Sequence, residues 1–461
     1  MADEFSGVKP TRSWLKLQGI RGGEMAVVKA MGKTRFVPPG ALLLYGARES
    51  ISAFIEYLRR EPRRLANIAG VIVTDGVGEA EIAGLPVLGA RLDERAIAAA
   101  PRRVSCVVLC DRNHGREAAR AGLAAAVGLG LRTRIVIGNG RTRPLRLPDL
   151  LGAPGDDEFA PPQGVIAGKR VLVTGAGGSI GSELCRLLAQ RGPARLTLLD
   201  SSEFNLYSID HELASCAPGL ARARALCDIR DGDALARWFQ RERPDIVFHV
   251  AALKHVPMVE EFVCEGVLTN VLGTRNVAQA AAAVGAHMLF VSTDKAANPT
   301  GAMGATKRAA EMLCQAFDRA GRARFMIARL GNVLGSTGSV TPMFERQIAA
   351  GGPVTVTDPE VARYFITIPQ AADFILRALA VGVKARAPRG AALVLDMGDP
   401  IPVIELARDM ILLHGQRPEE DVEIKIVGLR PGEKLIEQLI DENEAVQFLT
   451  DEGMMAAHAA P

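Results

Sequence analysis

Thr293, Asp294 and Lys295 stand side by side at the end of an apolar run, "AHMLFVSTDK", and Lys307 follows twelve residues later. A carboxylate beside an amine in a dry cleft can divide acid and base work between them. Met303 and Lys307 are spaced i, i+4, so they share one face of a helix. A tyrosine at 303 could exchange a proton, but a thioether cannot. Asp294 and Lys295 are an acid and a potential base within one turn of chain, and Lys307 can supply positive charge. An isolated Asp-Lys pair is ordinarily a solvated turn, and position in the chain sets this one apart.

That position is defined by a second motif. "KRVLVTGAGGSIGSELCRLLAQRG" (169–192) reads as strand, tight turn and helix, with Gly175, Gly178 and Gly181 in GxxGxxG spacing. Glycines there let the backbone turn sharply and approach a pyrophosphate, whose charge a helix N-terminus favours. Asp200 ends the next strand, nineteen residues after Gly181. A carboxylate there can hold ribose hydroxyls and repels a 2′-phosphate, so NAD is expected rather than NADP. Asp228 and Ile229, after a third strand, are placed to border the adenine. Further strands at 244–253 and 286–294 bring Thr293 to the carboxyl end of a parallel strand, where open α/β sheets bind ligands. There Lys307 can hydrogen-bond the nicotinamide ribose. A Gly-rich turn that binds nothing is the bland alternative, and the three features together oppose it.

Two series of alternating strands and helices must hold these groups. The expected fold is α/β, with two Rossmann-like doubly wound parallel sheets in tandem and a C-terminal substrate-binding region on the second. The expected segments are a basic arm (1–39), a degenerate Rossmann-like domain (40–150), a linker (151–166), an NAD-binding catalytic domain (167–441) and a tail (442–461). The linker, "LGAPGDDEFAPPQG", is the clearest boundary. In the first domain the corresponding turn, "LLLYGARESIS", keeps Gly46 but has Arg48, Glu49 and Ser50 in place of further glycines. Those side chains obstruct a pyrophosphate and Glu49 repels one, so no dinucleotide is expected there. "AMGKT" (30–34) ends like a P-loop but lacks the first glycine and a preceding strand.

The 461 residues carry 55 Lys and Arg against 52 Asp and Glu, a balance that gives no case for nucleic-acid binding by bulk charge. Seven cysteines form no CxxC and lie mostly in apolar runs, which reads as buried reduced thiols and no metal site. No signal peptide opens the chain and no apolar run is long enough to span a bilayer, so a cytoplasmic location is expected. Residues 1–40 hold seven Lys or Arg against three Asp or Glu. That arm reads as solvated, with weak contact to an anionic membrane surface as the sharper alternative.

Residues 169–441 resemble the extended short-chain dehydrogenase/reductases, and within them the nucleotide-sugar 4,6-dehydratases of bacterial polysaccharide pathways. The resemblance rests on "GKRVLVTGAGGSIGSEL", "LLDSSEFNLYSIDHEL", "HVAALKHVPMVE", "VSTDKAANPTGAMGATKRAAE", "ARLGNVLGSTGSV", "RYFITIPQAA" and "LRPGEKLIE", in that order. Met303 and the degenerate first domain are similar to the large UDP-N-acetylglucosamine 4,6-dehydratases that retain configuration at C5. Those proteins usually begin with membrane-spanning helices, which this sequence does not show.

The resemblance implies oxidation at C4 of the sugar with NAD, loss of the C5 proton and the C6 hydroxyl as water, and return of hydride to C6. It implies that Asp294 is the acid at C6 and Lys295 the base at C5. Thr293 and Lys307 would relay the C4 hydroxyl proton, with Met303 marking the subtype. Ser179, Ile180, Ala251 and Ala252 would join the cofactor contacts. Lys254, Asn332, Arg363, Arg430 and Glu433 would contact a UDP-sugar substrate, the arginines because their fork suits a diphosphate. Singly, each arginine reads as a surface residue. His249 reads as core, and His255 is open. A homo-oligomer is expected. A C5-inverting dehydratase, a 4-epimerase and a non-catalytic NAD-binding regulator are the alternatives.

Overall fold

The computed structural model describes residues 40–76, 78, 80–111, 115–137, 140–152, 164–449 and 453–459. The basic arm and most of the linker lie outside the described residues, and so does any membrane contact of the arm.

The first sheet is built from β1 (Ala41–Gly46), β2 (Ile68–Val73), β3 (Glu81–Ile82), β4 (Leu85–Gly89), β5 (Val104–Leu109), β6 (Arg132–Ile137) and β7 (Arg141–Pro144). Their order is β3-β4-β2-β1-β5-β6-β7, parallel except for the β3-β4 and β6-β7 pairs at the edges. Strand β2 is buried along its whole length, as a parallel strand covered on both faces should be.

The second sheet begins with β8 (Arg170–Thr174), β9 (Arg195–Asp200), β10 (Arg222–Leu226), β11 (Ile246–His249), β12 (His287–Thr293) and β13 (Phe325–Leu330). Three two-stranded ladders lie outside it: β14 (Asn332–Val333) with β17 (Phe365–Ile366), β15 (Val354–Val356) with β20 (Ile424–Ile426), and β16 (Ala362–Arg363) with β19 (Ile401–Pro402). The sheet is completed by β18 (Ala392–Leu395), β21 (Glu444–Leu449) and β22 (Met454–Ala459), in the order β10-β9-β8-β11-β12-β13-β18-β22-β21. The chain runs outward from β8 to β10 and then restarts at β11 on the other side. The crevice between the carboxyl ends of β8 and β11 is therefore the topological switch point.

Strand residues alternate between two cores. Val171, Val173 and Phe248 pack with the helices Ser179–Ala189 and Ile368–Val383. Leu172, Val247 and Phe290 pack with Gly232–Glu242, Thr274–Val284 and Ala302–Ala320. The period of two along a strand thus feeds both faces at once.

Residues 442–461 were expected to trail from the domain. Instead β22 pairs antiparallel with β18, and β21 pairs antiparallel with β22, so both extend the second sheet. The sequence signal is weak because β22, "MMAAHA", has no apolar–polar alternation. Glu444 on β21 pairs with the fully buried Arg329 at 2.6 Å, and Glu311 pairs with the same guanidinium at 2.7 Å. Removing either carboxylate would leave a charge underpaired in the core, at a cost of about 3–5 kcal/mol.

The region outside the second sheet has its own core of Phe344, Ile348, Val354, Leu406, Met410 and Ile424, which Leu151 joins. It also touches the first domain. Arg120 pairs with Asp409 at 2.6 Å, and Leu412 and Leu413 pack on the first domain's core. Burial pushes the Asp409 carboxyl up to about 6 despite Arg120. Five cysteines are buried as expected, but Cys216 and Cys264 are exposed. Among the described residues no helix is long and apolar enough to cross a membrane, and no metal-ligating cluster occurs.

Candidate active site

The Gly-rich turn lies at the switch point between β8 and the helix Ser179–Ala189. Gly175 has φ +66°, and a Cβ there would lie 2.8 Å from the Ala251 nitrogen. A Cβ on Gly181 would lie 2.0 Å from the Gly175 carbonyl oxygen, so helix and turn close together only without side chains. Gly178 is the N-cap, and no side chain caps this helix. Its first residues, Ser179, Ile180 and Gly181, line the cavity, and an uncapped helix N-terminus favours an anion. Asp200 accepts from the Gly177 and Ser202 amides at 2.9 Å each, so it braces the turn as well as facing the cavity. A carboxylate has room for further donors, and ribose hydroxyls remain compatible with it.

These residues fit NAD. The turn Gly175–Gly181 would hold the pyrophosphate, Asp200 the adenosine ribose, Asp228 and Ile229 the adenine edge, and Ala251 and Ala252 the far half. His249 lies behind them with no exposure. Its ring nitrogens bond Thr174 at 2.7 Å and Thr274 at 2.9 Å, and burial lowers its pKa to about 3. It is a neutral core residue that ties β8 to β11.

One cavity of about 910 Å³ runs from this turn across the ends of β11 and β12. Its wall includes Gly175, Gly178, Ser179, Ile180, Gly181, Asp200, Asp228, Ile229, Ala251 and Ala252 at the cofactor end. Lys254, Thr293, Lys295, Met303, Lys307, Asn332, Arg363, Arg430 and Glu433 continue it. Asp294 alone among the sequence-derived residues is not in the wall. It opens the turn Asp294–Ala296 with no exposure, and its Oδ2 has no hydrogen-bond partner. Its Oδ1 accepts from the Thr293 hydroxyl at 2.9 Å and from Lys295 Nζ at 3.0 Å.

Lys295 is held by more than Asp294. Asn332 Oδ1 accepts from its Nζ at 3.1 Å, and Glu437 Oε1 lies 3.5 Å away. Burial, the largest influence, pulls the ammonium pKa down, but Asp294 and then Glu437 outweigh it and hold it above the usual lysine value. Lys307 shows the opposite balance. Its Nζ donates to the Val291 carbonyl at 2.7 Å and sits 4.1 Å from the centre of the Phe290 ring. Burial lowers its pKa to about 8. Met303, 4 % exposed, fills the wall one turn before it.

Sequence reasoning missed two contributors. Gly304 lets the helix Ala302–Ala320 press against the turn Asp294–Ala296, since a Cβ there would lie 2.3 Å from the Lys295 carbonyl oxygen. Glu437, 3 % exposed, is a wall residue whose Oε2 has no hydrogen-bond partner. Its only sequence signal was its place at the end of "LRPGEKLIE". Arg363 also differs from expectation. Its guanidinium donates to the carbonyls of Ala362, Lys434 and Leu435 at 2.8–2.9 Å and to Glu433 at 3.2 Å. In this arrangement it clamps the 433–435 segment from within the cavity wall. Arg430 is exposed at the cavity wall. His255 lines the cavity and packs on Gly338, with its pKa lowered by burial and then by Lys254.

A doubly wound sheet with a glycine cradle at its switch point, and a lysine-bearing helix beside the next strand end, defines the extended short-chain dehydrogenase/reductase class. Within it the chain belongs to the polysaccharide biosynthesis protein family, which matches residues 171–459. It is 35 % identical over 449 residues to the probable polysaccharide biosynthesis protein EpsC of Bacillus subtilis, covering 93 % of this chain and 73 % of that protein. It is 32 % identical to a UDP-N-acetylglucosamine 4,6-dehydratase (inverting) of Campylobacter jejuni, covering 60 % of this chain and 79 % of the relative. Among solved structures, a dTDP-glucose 4,6-dehydratase, DesIV of Streptomyces venezuelae with NAD bound, superposes with a TM-score of 0.51 at 25 % identity. That match covers 59 % of this chain and 88 % of that one.

Proposed function

We propose that this protein is an NAD-dependent nucleotide-sugar 4,6-dehydratase acting on a UDP-N-acetylhexosamine, with UDP-N-acetylglucosamine as the first substrate to test. The observation that carries this reading is that Thr293 and Lys295 line the same cavity as the glycine cradle, with Asp294 hydrogen-bonded to both from behind the wall. An epimerase needs no such acid–base pair beyond the group at C4. Bound NAD supplies the hydride acceptor for C4 and the hydride donor for C6.

The chain's own groups move the protons. Thr293 takes the C4 hydroxyl proton and passes it to Asp294, to which its hydroxyl already donates. The ketone at C4 makes the C5 hydrogen acidic, and Lys295 removes it. Asp294 supplies the proton with which the C6 hydroxyl departs as water, so the C4 hydroxyl proton ends in that water. Lys295 then returns a proton to C5 as C6 is reduced. Return to the face it left retains the configuration, whereas the Campylobacter relative is named as inverting. Lys307 holds positive charge beside the reacting carbons, and Met303 excludes water there without exchanging a proton.

Incubation with UDP-N-acetylglucosamine and no added reductant should give a nucleotide sugar lighter by one water, read by mass spectrometry. An unchanged mass removes the dehydratase reading for that substrate.

A further inference from the structure

Lys295 is expected to act as a base, yet its surroundings are those of an ammonium. An ammonium has three N–H donors and no lone pair. Three oxygens surround Nζ: Asp294 Oδ1 at 3.0 Å, Asn332 Oδ1 at 3.1 Å and Glu437 Oε1 at 3.5 Å. One proton must leave before the amine can take another from carbon. Asn332 is an amide and cannot accept it. Asp294 is committed to the leaving hydroxyl in the proposed reaction. Glu437 is the remaining acceptor, buried in the cavity wall with one oxygen toward Lys295 and the other without a hydrogen-bond partner.

We propose that Glu437 is a third member of the acid–base centre, accepting a proton from Lys295 and so freeing the amine for the C5 hydrogen. This rests on the reading of Lys295 as the C5 base. The proton count closes. Transfer converts ammonium and carboxylate into amine and carboxylic acid, and the amine becomes ammonium again on taking the C5 proton. The ammonium gives that proton back to C5, and Glu437 then returns its own to Lys295.

The charged groups facing the pair set its resting state as ammonium and carboxylate. Arg363 Nε and Lys434 Nζ each lie 3.9 Å from Glu437, and Arg363 is itself paired with Glu433 at 3.2 Å. Asp294 faces Lys295 from the other side, with the Tyr364 phenol near that carboxylate. Two cations thus hold Glu437 as a carboxylate and two carboxylates hold Lys295 as an ammonium, so the neutral amine and acid form only in the course of the C5 step.

Because the exchange is internal, it neither binds nor releases a proton, so the rate of C5 exchange should be flat from about pH 6 to about pH 8. The experiment uses the full chain with UDP-N-acetylglucosamine in deuterated water and follows deuterium entering C5 in the first turnover. In Glu437→Gln the lysine proton must go to solvent. Exchange at pH 7 should then fall about tenfold or more and rise about tenfold per pH unit until the lysine titrates. Bound NAD and KM should stay close to wild type, and Glu437→Asp should restore the flat profile. A Glu437→Gln protein with the wild-type profile, or one lowered equally at every pH, overturns the proposal. If Lys295→Ala also abolishes exchange, only the role of Glu437 has failed. Exchange persisting in Lys295→Ala overturns the base assignment and the proposal together.

Discussion

The two sheets begin with the same strand–turn–helix unit and treat its positive end in opposite ways. In the first domain, Ala47 donates its amide to both oxygens of Asp111 at 2.9 and 2.8 Å, and Arg48 donates its own to Asp75 at 3.0 Å. Gly46 makes room for this, since a Cβ there would lie 2.8 Å from Asp111 Oδ1. The chain fills its own anion site with carboxylates from the ends of β5 and β2. In the second domain, glycine serves a close approach of backbone to backbone, and the uncapped helix N-terminus borders a cavity. A Rossmann shape therefore does not by itself leave an open anion site at the first helix. What decides is whether the helix N-terminus already has an anion.

The largest break in this contrast should come from Gly181→Ala. Its Cβ would meet a backbone oxygen, so the turn must deform. NAD affinity should fall by about 100-fold or more, the equivalent of ~2.7 kcal/mol. Titration calorimetry with NAD checks this, and an affinity within a few-fold of wild type would show that the cradle tolerates a side chain. The smallest effect should come from Asp111→Asn, which keeps a hydrogen-bond acceptor and removes the charge. Thermal unfolding should register a loss of about 1 kcal/mol in the first domain, the worth of one charged capping contact. Bound NAD should stay at about one per chain, since the amide still blocks the turn. A second equivalent of NAD would mean that the carboxylate was all that kept the first sheet empty.

What the sequence revealed follows from how local each feature is. The glycine spacing, Asp200 and the 293–307 stretch each sit within one strand–turn–helix unit, where residue order and spatial order coincide. The self-filled anion site was read only in part. Glu49 reads as the repelling group because it lies three residues after Gly46, whereas Asp75 and Asp111 reach the turn from other strands. Glu437 reaches Lys295 from 142 residues away, through a loop without helical or strand period. No pattern within either segment could announce that contact. The final strands were hidden for a different reason. An alanine-rich strand at the end of a sheet carries little alternation, and the buried Arg329–Glu444 pair that anchors it is a tertiary feature.

The central claim is that the second sheet's site carries hydride from C4 to C6 of one sugar while its own side chains move the protons. UDP-N-acetylglucosamine carrying deuterium at C4, incubated in ordinary water without added reductant, tests it most directly. The account predicts a 4-keto-6-deoxy product in which that deuterium has moved to C6 of the same molecule, seen by NMR. Deuterium returned to C4, with the C6 hydroxyl still in place, would contradict it.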